Sequence, residues 1–220
     1  MIPPMNKLLT TLMAFTCAMS FASLQAEDKP AAEEGFKVLF DGKSLDGWKV
    51  AEKEKPAFKL EDGAIIAYGP RNHLFYVGEE KPFKNFVFRA QVQTKKNSNG
   101  GIFFHTAYQP ENWPAQGHEA QVNNTFEKDP RKSGSIYKCK DVMNNSPMTD
   151  DVWWDYEIKV EGSKVTISFD GKVVNEYTEP AGGPGQEPGR KLGSGTFALQ
   201  AHDPESTVMY KNIRVKRLPE

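Results

Sequence analysis

Apolar residues in this chain recur chiefly at every second position, in short runs interrupted by Gly, Asn, Asp and Pro. A period of two belongs to an extended strand with one packed face and one wetter face, and no helical period persists beyond about three turns. The runs "FKVLF", "AFKLEDGAIIAY", "NFVFRAQVQT", "GIFFHT", "HEAQVN", "GSIYK", "WWDYEIKVEG", "KVTISFDGKVVNEY", "SGTFALQAH" and "TVMYKNIRVKRL" each read as a strand or a strand pair. In the third of these, Phe86, Phe88, Ala90 and Val92 share one face, opposite Val87, Arg89, Gln91 and Gln93. In residues 153–177, turn signals at Gly162-Ser163 and Asp170-Gly171 predict a three-stranded meander, the second being a tight two-residue turn. About ten strands over roughly 185 residues predict an all-β sandwich or jelly roll of two antiparallel sheets. Residues 179–195, "EPAGGPGQEPGRKLGSG", are too rich in Gly and Pro for a strand. A loop this long in a compact domain is either a surface connection or part of a binding-site rim.

The first residues carry a different pattern. Lys7 precedes the apolar residues 8–22, and "SLQA" ends at Ala26 before the polar "EDKP", the layout of a cleaved secretory signal peptide. The run is shorter than the about 20 apolar residues of a spanning helix and is broken by Thr, Ser and Cys. Residues 1–26 are therefore expected to be a signal peptide, with no membrane span after its removal and an exported product, periplasmic or secreted. Residues 27–34, "EDKPAAEE", read as a flexible lead-in. That leaves 35–220 as one β-sandwich domain, long enough to bury its own core.

The 220 residues include 28 Lys and Arg against 29 Asp and Glu, with no long block of one sign, which argues against nucleic acid or anionic lipid as a partner. Cys17 falls in the signal segment without a convincing lipobox, so the exported chain keeps Cys139 alone and has no internal disulfide. A lone thiol of this kind is expected to pack as a small apolar group. The four His residues, at 73, 105, 118 and 202, lack the close spacing of a zinc motif, and Asp41 and Asp46 read as turn residues. No metal or other cofactor is called for.

Three runs place polar groups on alternate positions among apolar neighbours. Glu119, Gln121 and Asn123 share a face of "HEAQVN"; Gln200 and His202 share one in "GTFALQAH"; His105 alternates with Phe104 in "GIFFHT". Sandwich folds often bind sugars on the concave face of one sheet, where amides and carboxylates meet hydroxyls and aromatic rings stack on the sugar. His105, Glu119, Gln121, Gln200 and His202 fit such a floor, and Trp113 in "QPENWPAQG" fits an aromatic wall.

The motifs "FKVLFDGKSLDGWKV", "NSNGGIFFHT", "HEAQVNNTF", "SGSIYK" and "FALQAHDPESTVMYKNIRVKRL", in this order across residues 35–218, resemble the 3-keto-disaccharide hydrolase domain family. The resemblance implies a concanavalin A-like jelly roll and an exported enzyme whose substrate is a small carbohydrate, a glycoside already oxidised to a ketone at C3. Such a ketone acidifies the C2 proton, so a base can form the enolate and expel the C1 glycosidic oxygen; water can then add to the unsaturated product. On this reading Glu119 or His105 is the base. His202, with Gln200 or Gln121, holds the C3 oxygen or protonates the departing alcohol, and Tyr137 or Lys138 adds a donor. Sandwich-fold glycosidases that act on unoxidised glycosides need two carboxylates, whereas this strand reads Glu, Gln, Asn. The other reading of the same residues is a non-catalytic, lectin-like carbohydrate-binding module.

Overall fold

The computed structural model describes Met1 and residues 33–184 and 190–220. The signal-peptide reading of residues 1–26 and most of the 27–34 lead-in lie outside the described residues. Within the unit Ala32–Glu220 the alternating runs become strands. They are β1 (Lys37–Val38), β2 (Trp48–Val50), β3 (Phe58–Glu61), β4 (Ala64–Tyr68), β5 (Asn72–Tyr76), β6 (Phe86–Thr94) and β7 (Asn99–Thr106). β8 (His118–Asn123), β9 (Trp154–Glu161), β10 (Lys164–Phe169), β11 (Lys172–Thr178), β12 (Thr196–Ala201) and β13 (Thr207–Arg217) follow. They form two antiparallel sheets, the jelly-roll sandwich that the alternation predicts. The larger runs β11-β10-β9-β6-β13-β4-β3 with β1 also paired to β13, and the smaller runs β2-β5-β12-β7-β8. Among the described residues no helix is long and apolar enough to cross a membrane.

The core lies between the sheets. Phe86, Phe88, Ala90 and Val92 of β6 are buried and meet Ile102 and Phe104 of β7 and Phe197 and Leu199 of β12. The Phe197 ring lies 4.9 Å, 5.0 Å and 4.7 Å from those of Phe83, Phe86 and Phe88, so one residue of the small sheet ties three aromatic rings together. At the β10–β11 turn Asp170 and Gly171 both take positive φ, 48° and 76°, as a tight hairpin turn with the twist of its strands requires.

Three local features depart from the alternation. β2 and β5 were not among the predicted runs: every residue of "NHLFY" is buried, so covering on both faces removes the polar half of the pattern. "GSIYK" forms only isolated bridges, Ala120↔Ile136 and Ile136↔Lys140, and turns at Lys138, whose φ is 59°. In β7 the partners of Thr196 and Phe197 are Thr106 and Phe104, so His105, at φ 57°, is an extra bulged residue. The bulge turns His105 off the floor face and against Phe86 and Phe104, with ring centroids 5.5 Å and 5.8 Å away.

His105 is thereby an anchor between loops. Its Nδ1 accepts the Gly193 N–H at 3.1 Å, so Nε2 carries the proton and donates to the Lys84 carbonyl at 2.8 Å. Burial lowers its pKa from 6.5 to about 4, the Lys84 carbonyl opposing only in part. The unfolded chain therefore takes up a proton that the folded chain refuses; this stability is complete above pH 6.5 and is lost as pH falls through the window toward 4. Denaturant unfolding near pH 7.5 and near pH 4.5 should show wild type losing more stability than His105→Gln, by of order 2 kcal/mol. Equal losses would contradict the neutral, bridging role.

Candidate active site

The outer face of the smaller sheet carries a polar floor, and register sets its layout. His73 of β5 pairs with Gln200 of β12; Gly101 and Phe103 of β7 pair with Gln121 and Glu119 of β8. These side chains share the face because antiparallel partners point the same way. Glu119, Gln121 and Gln200 are buried to 5%, 1% and 1% exposure. A carboxylate at that depth needs donors, and Gln200 Nε2 supplies one to Glu119 Oε1 at 2.8 Å. The bond spans β7 because residue 101 is glycine: a Cβ there would lie 2.3 Å from Glu119 Oε1. Gln121 Nε2 donates to Asn99 Oδ1 at 2.8 Å, and its backbone carbonyl accepts the Tyr156 hydroxyl at 3.2 Å.

Four buried polar atoms of this floor have no hydrogen-bond partner among the described residues: Gln121 Oε1, Gln200 Oε1, and both ring nitrogens of His73. Such groups are rare in folded proteins and each costs about 1–3 kcal/mol when left dry, so their gathering on one face makes this floor the candidate site. Burial, reinforced by the charges of Arg71, Arg190 and His202, lowers the His73 pKa to about 3 and keeps the ring neutral. It meets Phe103 and Trp113 edge-on, with centroids 5.4 Å and 5.3 Å away.

Above the floor is a cavity of 260 Å³. Glu119, Gln121, Asn99 and Gln200 form its base, His202 and Trp113 one side, and Tyr137, Lys138, Asp129 and Arg190 the rest. His202 follows β12, and its Nδ1 lies 2.8 Å from Asp203 Oδ2, which also accepts the Ser206 hydroxyl at 2.6 Å. Burial raises the Asp203 pKa, but the bonds from Ser206, His202 and the Glu205 N–H outweigh it and hold the group ionised below the usual range. An ionised Asp203 places the proton on His202 Nδ1 and leaves Nε2 for chemistry. Burial, with the charges of Asp129 and Glu119, raises the Tyr137 pKa, so its phenol is a donor. Arg190 lies over the Phe103 ring at 5.4 Å and comes from the Gly- and Pro-rich loop.

The fold thus brings together Glu119, Gln121, Gln200, His202, Tyr137, Lys138 and Trp113. The left-handed turn at Lys138 lets both Tyr137 and Lys138 reach the cavity, in place of the one that strict alternation allows. Two expected residues stand apart. His105 is bulged away as described. Asn123 shares the parity of Glu119, but its Nδ2 donates to the carbonyls of Asp129 and Arg131 at 3.1 Å and 2.8 Å, and its Oδ1 accepts the Phe126 N–H. It folds the 124–133 loop back and so carries Asp129 to the cavity.

Asp129 is a second carboxylate that the strand pattern missed; its Oδ1 accepts the Arg131 N–H at 2.9 Å. Asn99, Arg190, Asp203 and His73 were missed as well. Asn99, two residues before Gly101, Asp203, beside His202, and Arg190, within the long loop that also reads as a binding-site rim, carried a sequence signal. Cys139 packs against the core, with Sγ 3.6 Å from His118 Nδ1, and burial pushes its thiol up to about 11, against a nucleophilic role. Among the described residues no group of three or more His, Cys, Asp or Glu could hold a metal ion.

The comparisons agree with this architecture. A curated 3-keto-disaccharide hydrolase of Bacteroides thetaiotaomicron is 26% identical over 100 residues, 42% of this chain; the match spans about a third (34%) of that relative's length. A crystal structure of a proposed glycosyl hydrolase from Parabacteroides distasonis superposes with a TM-score of 0.70 at 22% identity, over 88% of this chain and 98% of that one. The carbohydrate-binding module CBM66 from Bacillus subtilis shares the fold at a TM-score of 0.55 and 13% identity, over 77% of this chain and 95% of that one. The model of the 3-keto-alpha-glucoside-1,2-lyase-like domain matches residues 35–216, and the chain belongs to that family.

Proposed function

We propose that this protein cleaves the glycosidic bond of 3-keto-glycosides by removing the C2 proton and eliminating across C1–C2. The observation that carries this reading is the pairing, in one small cavity, of a buried carboxylate held by a neutral amide with a histidine oriented by a carboxylate. Glu119 takes the C2 proton, and the electrons form the C2–C3 enolate. The enolate oxygen is held by a neutral donor of the cavity, a role that the protonated Tyr137 phenol suits. The enolate then expels the C1 oxygen as the C1–C2 double bond forms, and His202 Nε2, protonated, delivers a proton to the departing alcohol. Addition of water across the unsaturated ketone completes a net hydrolysis.

The same cavity suits ordinary retaining or inverting hydrolysis poorly. Those routes need two carboxylates working on one acetal, and here the second carboxylate, Asp129, is tied to Arg131. The family name, a 1,2-lyase, supports elimination across the same two carbons. The leader-like composition of residues 1–26 supports export to the periplasm or the medium. A second reading, a non-catalytic carbohydrate-binding module, draws support from the shared fold of CBM66. It is separated from the first by incubation with a 3-keto-glucoside and its unoxidised counterpart: the enzyme releases alcohol only from the former, the module from neither.

Glu119→Gln keeps the acceptor that Gln200 requires and removes the base. It should lower kcat on a 3-keto-glucoside by at least about a hundredfold with an unchanged far-UV spectrum, and a fully active variant would remove Glu119 from the chemistry. His202→Ala should be selective for the leaving group. The loss in kcat should be large for a sugar alcohol, which needs protonation, and several times smaller for 4-nitrophenol, which does not. A loss equal for both would assign His202 to binding or to the enolate instead. Asp203→Asn should follow the same leaving-group pattern in milder form.

A further inference from the structure

We propose that the exposed indole of Trp113 is a platform for the leaving group, a ring with an apolar face, while the keto sugar alone fills the cavity. This deepens, and rests on, the reaction assigned above. Pockets that enclose a drug-sized ligand run to roughly 300–1,000 Å³. At 260 Å³ this cavity is smaller, so a disaccharide would leave one of its rings outside. The polar floor that suits a hydroxylated ring lies under the cavity; the side next to His202 is aromatic instead.

Trp113 lines that side while remaining 41% exposed. An isolated exposed aromatic ordinarily needs no explanation, but the loop that carries this one is built to hold it still. The side chain of Gln109 reaches back through its own loop, with Nε2 donating to the carbonyls of Glu111 and Trp113, both at 2.7 Å, and Oε1 accepting the Ala115 N–H at 2.9 Å. Glu54 clamps the same loop from outside, accepting the Asn112 N–H at 2.9 Å and an Arg71 N–H at 2.6 Å. Arg71 in turn lies over the indole at 5.7 Å, and the neutral ring of His73 supports it from the floor at 5.3 Å. A rigid frame around a half-open aromatic side chain is preorganisation: the cost of ordering the ring is met in folding rather than on binding.

Direction comes from His202. Its ring centroid is 5.9 Å from that of Trp113, and His202 is the group that protonates the glycosidic oxygen. The departing alcohol therefore leaves past Trp113, on the side away from Glu119. A pyranose presents a face of C–H groups and an aryl group a π face, and either stacks on an indole.

The test compares methyl, glucosyl and 4-nitrophenyl 3-keto-glucosides as ratios of variant to wild-type kcat/KM, so that intrinsic leaving-group reactivity cancels. Trp113→Ala should lose roughly tenfold more on the two ring-bearing substrates than on the methyl one, chiefly through KM. Gln109→Ala, which keeps the indole and loosens its loop, should show the same pattern more weakly. Equal losses on all three substrates, or none, would overturn the platform. Calorimetric Kd values in the Glu119→Gln background, with and without Trp113→Ala, read the same preference without turnover. If wild type cleaves none of the three, the assigned reaction fails while the Kd comparison still decides the platform; a Kd penalty indifferent to the leaving group would overturn it.

Discussion

The site depends on a missing side chain. Glu119 is almost wholly buried, and a buried carboxylate without donors costs several kcal/mol. Its donor, the Gln200 amide, stands on β12, with β7 in between. The two meet only because Gly101 leaves its place on the β7 floor open, and the carboxylate lies across that gap. A side chain at 101 would bring its Cβ to 2.3 Å from Glu119 Oε1, so the carboxylate would have to shift. The Glu119 carboxylate, its amide partner and the strand between them thus form one unit whose geometry is set by backbone pairing rather than by loops.

The remainder of the smaller sheet serves both of its faces at once. Ile102, Phe104, Phe197 and Leu199 pack the sandwich core, while Gly101, Phe103, Gln200 and Glu119 build the floor from alternate positions of the same or adjacent strands. Since the side-chain period is two, a one-residue slip would exchange core and site. The aromatic packing around Phe197 therefore also holds the register on which the Glu119–Gln200 bond depends. Loops add the groups that alternation cannot place: Asp129 through the Asn123 brace, Arg190 from the segment that His105 anchors at Gly193, and Trp113 through Gln109.

Alternation made most of the fold legible, because strands with one wet face write their geometry into the sequence. It failed at β5, where "NHLFY" is covered on both sides, and with that strand His73 went unseen. Parity placed Glu119 with Gln121 and Gln200 with His202 correctly, since those segments are regular. It misplaced His105 because one bulged residue reverses the face, and it overrated Asn123 because a side chain with the right parity can still turn back on its own loop. The part played by Tyr137 and Lys138 turned on a single left-handed residue in a segment that had read as strand. Asp129 and Arg190 come from irregular segments, where no period announces which side chain faces a cavity.

Removal of the C2 proton by Glu119, as proposed, would register as a kinetic isotope effect on cleavage of a 3-keto-glucoside deuterated at C2. A primary effect well above unity is expected when chemistry limits the rate, with no cleavage of the unoxidised glucoside. An effect of unity at C2, accompanied by cleavage of the unoxidised sugar, would contradict it and return the site to ordinary acetal hydrolysis.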